Sequence, residues 1–244
     1  MSEIFQFDDH VMILADYKDP AEHKHLASHL IFSLSGEMEW KIGTEKVACQ
    51  GIVIGPSVSH IGYTGSGDCL IFMFTEISNY ALSLRQKYLK QDSYAILDEE
   101  AVKRGRKLYY ARQTQPKQAD REILAAFGLD NTVTHHYDSR VQEVLLKIEQ
   151  METIPENAVT ELSRQVFLSS SRLSHLFHKQ TGMTLHSYLA FEKLRKTYRY
   201  FQKGNSITRS CLLAGFSSPS HCAVTCKKMF GISISEVWRT IAGK

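Results

Sequence analysis

Two stretches near the C-terminus repeat one pattern, and this repeat restricts the fold more than any other feature of the 244-residue chain. The first runs from Leu162 to Met183 and the second from Ser210 to Ile232. Each has, in order, a short helix-like run, a serine cluster (Ser169 to Ser171; Ser217, Ser218 and Ser220), a second helix-like run, basic residues and a glycine (Gly182; Gly231). Serine ahead of a helix accepts hydrogen bonds from orphan backbone N–H groups. Glycine just past the last turn takes the left-handed conformation that stops the helix. Each copy is therefore expected to fold as helix, tight turn, capped helix and stop. Two helices so joined cannot form a core alone, but they are the unit that sets its second helix into a DNA major groove.

The segment between the copies, Thr184 to Lys203, places Leu185, Tyr188, Leu189, Leu194, Tyr198 and Phe201 close to a 3.6-residue period and ends at Gly204-Asn205. A helix of that length spans roughly 30 Å, near the ~34 Å between successive major grooves on one face of B-DNA. Two recognition helices on such a spacer would read two adjacent turns.

At these residues the chain resembles the AraC/XylS family of transcription regulators, from Asp138 to Lys244. The matching pieces are S-x-R-L-S-x-L-F (Ser170 to Phe177), T-G-M-T (Thr181 to Thr184), S-I-T (Ser206 to Thr208), G-F-S-S-P-S (Gly215 to Ser220) and K-K-x-F-G-I-S (Lys227 to Ser233). The chain departs from the family in its second half-unit, with Ser210-Cys211, Cys222, Val224 and Cys226, and Ile234 for the usual proline. Weaker packing and weaker base reading are expected there. A capping box, Ser233 with Glu236, is expected to start the last helix. Phe167 stands where the family's turn often has glycine, which predicts strain if φ is positive. Carried over by position, the resemblance implies DNA contacts from Ser171, Arg172, Ser174, His175, His178 and Lys179 in the first half-unit. In the second it implies contacts from Ser218, Pro219, Ser220, His221, Val224, Lys227 and Lys228. The lysines at the helix ends would meet phosphates. Serine and histidine hydrogen-bond base edges without the bidentate guanine contact of arginine, so specificity per half-unit would be modest.

Net charge is +3. From Asp138 onward there are 15 Lys+Arg against 8 Asp+Glu, and before it 14 against 18. The basic half is thus the half with the DNA-like motifs.

Up to about residue 77 the chain reads as strands: His29 to Leu34, Met38 to Ile42, Lys46 to Cys49, Ile52 to Ile54 and Leu70 to Phe74, separated by Gly, Pro and Asp. This pattern predicts a small antiparallel barrel or jelly roll. Met38, Trp40 and Ile42 face one side, Glu39 and Lys41 the other. His23, His25 and His29 would share a face if they lie on one strand, and His60 follows Pro56. The stretch resembles the cupin pattern H-x-H-x-x-x-E with a later P-x-x-x-H, His29 replacing the glutamate. Two readings stay open: imidazoles holding Zn, Fe, Ni or Cu, or a pocket for a small organic ligand.

Residues 78–137 read as helical, with candidates Asn79 to Leu89, Asp98 to Arg112 and Pro116 to Phe127. Their apolar faces fit a dimer contact or docking on the barrel of the same chain. Asn131 to Tyr137 is the candidate linker, its His135-His136 pair solvated. Arg140 to Met151 is expected as the first helix of a C-terminal domain covering residues 138–244, and Asn157 as the cap of the next.

The acidic start MSEIFQFDDH and a longest apolar run of six residues, Cys69 to Phe74, predict neither signal peptide nor membrane span. Five cysteines without a paired framework suit a reducing cytoplasm. Cys211, Cys222 and Cys226 read as small core residues, with a thiol sensor as the alternative. The expected fold is thus α+β: a cupin-like or jelly-roll barrel, connecting helices, and an all-α domain of two helix-turn-helix units on a long helix. The expected function is ligand-responsive, sequence-specific regulation of transcription. Its partners would be promoter or operator double-stranded DNA, a small-molecule effector and a second copy as a homodimer, with RNA polymerase a candidate contact. No enzyme is expected, since neither a catalytic triad nor a phosphate-cradling glycine loop is present. The rival reading is a cupin metalloenzyme, such as a dioxygenase, acting through the four histidines.

Overall fold

The computed structural model describes residues 3–7, 9–15, 22–65, 67–112 and 115–230. The chain divides into two compact units between His135 and His136.

The first unit contains nine strands among its described residues: β1 (Glu3–Gln6), β2 (His10–Ala15), β3 (Ser28–Ser33), β4 (Met38–Ile42), β5 (Glu45–Cys49), β6 (Gly51–Ile54), β7 (His60–Tyr63), β8 (Cys69–Phe74) and β9 (Tyr94–Ile96). They form two antiparallel sheets, ordered β1-β2-β8-β3-β6-β9 and β5-β4-β7. Strands β3, β6 and β8 are buried throughout, because the larger sheet is covered on both faces. On one face Leu30, Phe32, Leu70, Phe72 and Phe74 pack against Leu84, Val102, Ile123, Leu124 and Phe127 of the helices that follow. The other face carries Ile13, Ile31, Ile52 and Ile71, level with one another in register. It looks toward β4, whose Met38, Trp40 and Ile42 are buried while Glu39 and Lys41 are exposed, as the period-two alternation predicts. Gly62 on β7 lets Trp40 cross: a Cβ there would stand 2.3 Å from the indole Cζ3.

The connecting helices are α1 (Asn79–Leu84), continued by a π-helical turn Arg85–Leu89, then α2 (Glu99–Ala111) and α3 (Pro116–Ala126). Ser78 and Asp98 cap α1 and α2 through the Ala81 and Ala101 amides, and Pro116 opens α3. They dock on the sheet of their own chain. The stretch is not wholly helical, since β9 within it pairs with β6. His135 is not solvated either: its Nε2–H donates to the Ser78 carbonyl at 3.1 Å, and burial pushes its pKa down.

The second unit is helical among its described residues: α4 (Ser139–Gln150), α5 (Ala158–Gln165), α6 (Ser170–Thr181), α7 (Leu185–Gln202), α8 (Ile207–Leu213) and α9 (Pro219–Phe230). Val141, Val144 and Ile148 form the buried face of α4. The hub is α7, where Lys196 Nζ donates to the Glu149 carbonyl at 3.2 Å and Lys193 Nζ to the Gly215 carbonyl at 2.7 Å. Glu192, 1% exposed, accepts from Arg195 at 2.7 Å. Asn157 sits at the start of α5, but its side chain bonds Glu161 rather than capping an amide. The glycine stop at Gly231 and the Ser233–Glu236 capping box lie outside the described residues.

Candidate DNA-binding surface and sensor site

The two repeats correspond element by element. Leu162, Ser163 and Val166 of α5 are buried, as are Ser210, Cys211 and Ala214 at the corresponding places around α8. The turns close with matching hydrogen bonds, Leu168 N to Ser163 O at 2.9 Å and Phe216 N to Cys211 O at 3.0 Å. Both turns contain one left-handed residue, Phe167 at φ 55° and Gly215 at φ 98°. Ser217 is one residue more in the second turn, before the helix caps Ser169 and Ser218 accept from the Arg172 and His221 amides.

Helix α6 presents Ser171, Arg172, His175, His178 and Lys179 to solvent and buries Leu173 and Phe177. Helix α9 presents Ser220, His221, Val224, Lys227 and Lys228 and buries Cys222 and Cys226. Each exposed set recurs every three or four residues and so forms one stripe. Three of the residues carried over from the resemblance are otherwise engaged, among them His221, whose Nδ1 shares a hydrogen bond with the Ser217 hydroxyl at 3.0 Å. Ser174 donates to the Ser170 carbonyl at 2.8 Å, and Ser218 serves as the cap of α9. Helix α7, 18 residues capped by Thr184 and followed by Gly204 at φ 87°, joins the two helix-turn-helix elements as a rod of about 27 Å.

In the first unit four imidazoles converge between the sheets. Ring centroids are 4.5 Å apart for His23 and His25, 4.6 Å for His23 and His60, 5.1 Å for His25 and His29, 5.3 Å for His29 and His60, and 5.5 Å for His25 and His60. His23, His25 and His60 can each offer a nitrogen within 4.8 Å of the others. Burial, then the charges of His23 and His60, pushes His25 down to about 3. Burial takes His60 to about 4 against the opposing pull of the Val58 carbonyl, and His29 lies well below its usual value for the same first reason. All three are therefore neutral at neutral pH, with lone pairs available.

Residues 162–240 match the family described as a helix-turn-helix domain. This segment is a helix-turn-helix domain. Among solved structures the chain is similar to an apo variant of ToxT from Vibrio cholerae strain SCE256, with TM-score 0.61, 7% identity and coverage of 96% of this chain and 98% of that one. It is also similar to ToxT from Vibrio cholerae O395, with TM-score 0.57, 8% identity and coverage of 100% and 98%. A third likeness is to unsaturated fatty acid bound wild-type ToxT, with TM-score 0.55, 10% identity and coverage of 98% of each chain. These likenesses establish the fold, which runs the length of the chain. Comparison with curated proteins gives no match. No described helix is long and apolar enough to cross a membrane.

Apart from Ser218, which precedes α9 as its cap, the residues carried over from the resemblance lie on the two second helices, α6 and α9. The histidine set also converges, though by another route than one continuous strand. Only His29 lies on β3; His23 forms an isolated bridge with His60, and His25 lies in irregular chain between them. Two partners of the site were not anticipated. Trp40 stands 6.1 Å from the His60 ring, an inward position that the alternation on β4 does encode. The Val58 carbonyl orients His60, and no side-chain pattern encodes that.

Proposed function

We propose that the chain is a ligand-responsive, sequence-specific transcription regulator whose α6 and α9 read two successive major grooves of promoter DNA. The observation that carries this is the pair of basic, capped, solvent-facing stripes at the two ends of an 18-residue spacer. On B-DNA the exposed Ser171, His175 and His178 would meet base edges in one groove, and Ser220, His221 and Val224 in the next. Arg172, Lys179, Lys227 and Lys228 would neutralise phosphates. The reading sets lack a bidentate guanine contact from arginine, which supports action as a homodimer on repeated sites. The first unit serves as sensor for an effector held at the histidine cluster, and RNA polymerase is the downstream contact. The protein works in the cytoplasm and as a regulator rather than an enzyme.

The experiment is to sequence the DNA that co-purifies with the protein from its own cells, then footprint the recovered site. The proposal expects protection of two adjacent major grooves on one face of the duplex. Protection confined to one groove, or recovery of random sequence, overturns it.

A further inference from the structure

Three of the five cysteines lie in the core of the second helix-turn-helix element. Cys211 is on α8, and Cys222 and Cys226 are one helical turn apart on α9. They are 0%, 0% and 4% exposed. The corresponding buried positions of the first element hold Ser163, Leu173 and Phe177, so the fold itself does not require thiols there. Cys211 and Cys222 touch across the two helices and share a hydrogen bond. Among the described residues the three thiols do not gather closely enough to form a metal site, so their chemistry is that of a dithiol in contact.

The surroundings allow such a pair to close. A disulfide draws two sulfurs from contact to roughly 2.0 Å, which needs some give in the packing. Ser210, Cys222 and Cys226 supply it, since they fill less of the core than Leu162, Leu173 and Phe177 do in the first element. Ser210, next to Cys211, also buries a hydroxyl without a partner, which lowers the free energy needed to part α8 from α9 and admit a small oxidant. Within the pair, the shared hydrogen bond draws the Cys211 thiol down, while the same bond and then burial push Cys222 up. Cys211 therefore ionises first, as an attacking thiol must, and Cys222 keeps its proton as the resolving partner. Cys49 of the first unit has the opposite setting, its thiol pushed up by burial to about 11.

We infer that Cys211 and Cys222 form a disulfide site for oxidation by peroxide, and that the bridge ties α8 to α9. The Cys211 thiolate attacks one peroxide oxygen, the O–O bond breaks, and the departing hydroxide takes a proton to become water. The Cys222 sulfur then attacks the sulfenic acid on Cys211, the S–O bond breaks, and a second water leaves with the Cys222 proton. Each sulfur loses one electron and the peroxide gains two. The bridge closes a loop of about a dozen residues across the turn, a constraint that corresponds to about a hundredfold in the opening equilibrium of this element. Holding α9 in place would strengthen binding at the second groove; that consequence rests on the regulator reading of the preceding section, and the bridge itself does not.

The test exposes the reduced full chain to a small excess of hydrogen peroxide and counts free thiols in denaturant. Chymotryptic cleavage after Phe216, which separates Cys211 from Cys222 and Cys226, then maps the bridge. The inference expects two of the five thiols to disappear, one peptide pair joined through Cys211 and Cys222, and recovery of all five with dithiothreitol. Cys226→Ala should form the same bridge, whereas Cys211→Ala and Cys222→Ala should keep their remaining thiols. Far-ultraviolet dichroism checks that each variant folds, and the peptide map of the unaltered chain decides alone where one does not. Survival of all five thiols, or a bridge through Cys49, Cys69 or Cys226, overturns the site. In the bridged chain the amides of α8 and α9 should exchange about a hundredfold more slowly, and unchanged exchange overturns the tie between the helices. Affinity for the recovered DNA site should rise roughly threefold or more as the competent form of α9 becomes more populated. Equal or weaker binding by the bridged chain overturns the effect on DNA alone. Absence of specific DNA binding in both reduced and bridged protein removes the regulator reading, while the thiol count and the peptide map still decide the site.

Discussion

Phe167 shows how one position carries both fold and function. It is 95% exposed and left-handed at φ 55°, a conformation that costs an L-residue with a Cβ roughly 1–2 kcal/mol. The matching Gly215 explains the geometry: the turn demands it, and a Cβ at Gly215 would stand 2.0 Å from the Ile154 carbonyl oxygen. Phe167→Gly relieves the strain but adds unfolded-state entropy, so a net gain of about 1 kcal/mol is expected. Urea unfolding should show a higher midpoint at unchanged slope. The recognition residues separate by a different measurement. His175→Ala should cost about 1–3 kcal/mol on the cognate site and little on random DNA, whereas Lys179→Ala should weaken both alike and lower the salt slope by about one. Equal losses on both DNAs for His175→Ala would remove it from the base-reading set.

Between the two helix-turn-helix elements the difference is one of filling. Leu162, Leu173 and Phe177 fill the first, where Ser210, Cys222 and Cys226 stand in the second. Each replacement removes on the order of 1–2 kcal/mol of apolar burial. The Ser210 hydroxyl is also buried without a partner, at a cost of about 1–3 kcal/mol. A contact between the Cys211 and Cys222 thiols offsets part of this; that contact, and then burial, push Cys222 far up, while the same contact draws Cys211 down. Hydrogen exchange on the free protein should therefore find α8 and α9 opening before α5 and α6; equal protection would show that repacking has made up the loss. This asymmetry was legible in the sequence, as were α1 to α7 and the alternation on β4, because caps and periodicity are local. The pairing of β9 with β6 was not, since a three-residue strand carries too short a pattern inside helical surroundings. The histidine cluster was legible as a set but not as a geometry, because the His23–His60 bridge joins residues distant in sequence.

At the scale of the molecule, the two units hold their charges differently, and pH should act on one of them. In the first unit His10 is 3% exposed, ringed by Phe7, Phe72, Phe74 and Tyr80, and bonded through Nδ1 to Asp9 at 2.7 Å and through Nε2 to Asp120 at 2.6 Å. Both partners are carboxylates, so both ring nitrogens donate and the ring is an imidazolium that ties β2 to α3. Burial lowers its pKa, but the hydrogen bonds and charges of Asp120 and Asp9 outweigh burial and raise it to about 9. Burial raises Asp120 against the pull of His10. A folded-state value above the unfolded 6.5 means that the contribution is fully present below pH 6.5 and is lost as pH climbs through 9. A shift of that size corresponds to about 3 kcal/mol, or a fall in melting temperature on the order of 10 °C for a unit of this length. Calorimetry of the full chain should resolve two transitions. Raising the pH from 6.5 to 9 should lower the one that hydrogen exchange assigns to residues 3–135, while the transition of the helical unit stays nearly fixed. His10→Gln should lower the first transition at pH 6.5 and flatten its dependence on pH. A first transition that falls just as steeply in His10→Gln would place the alkaline sensitivity elsewhere in the sensor.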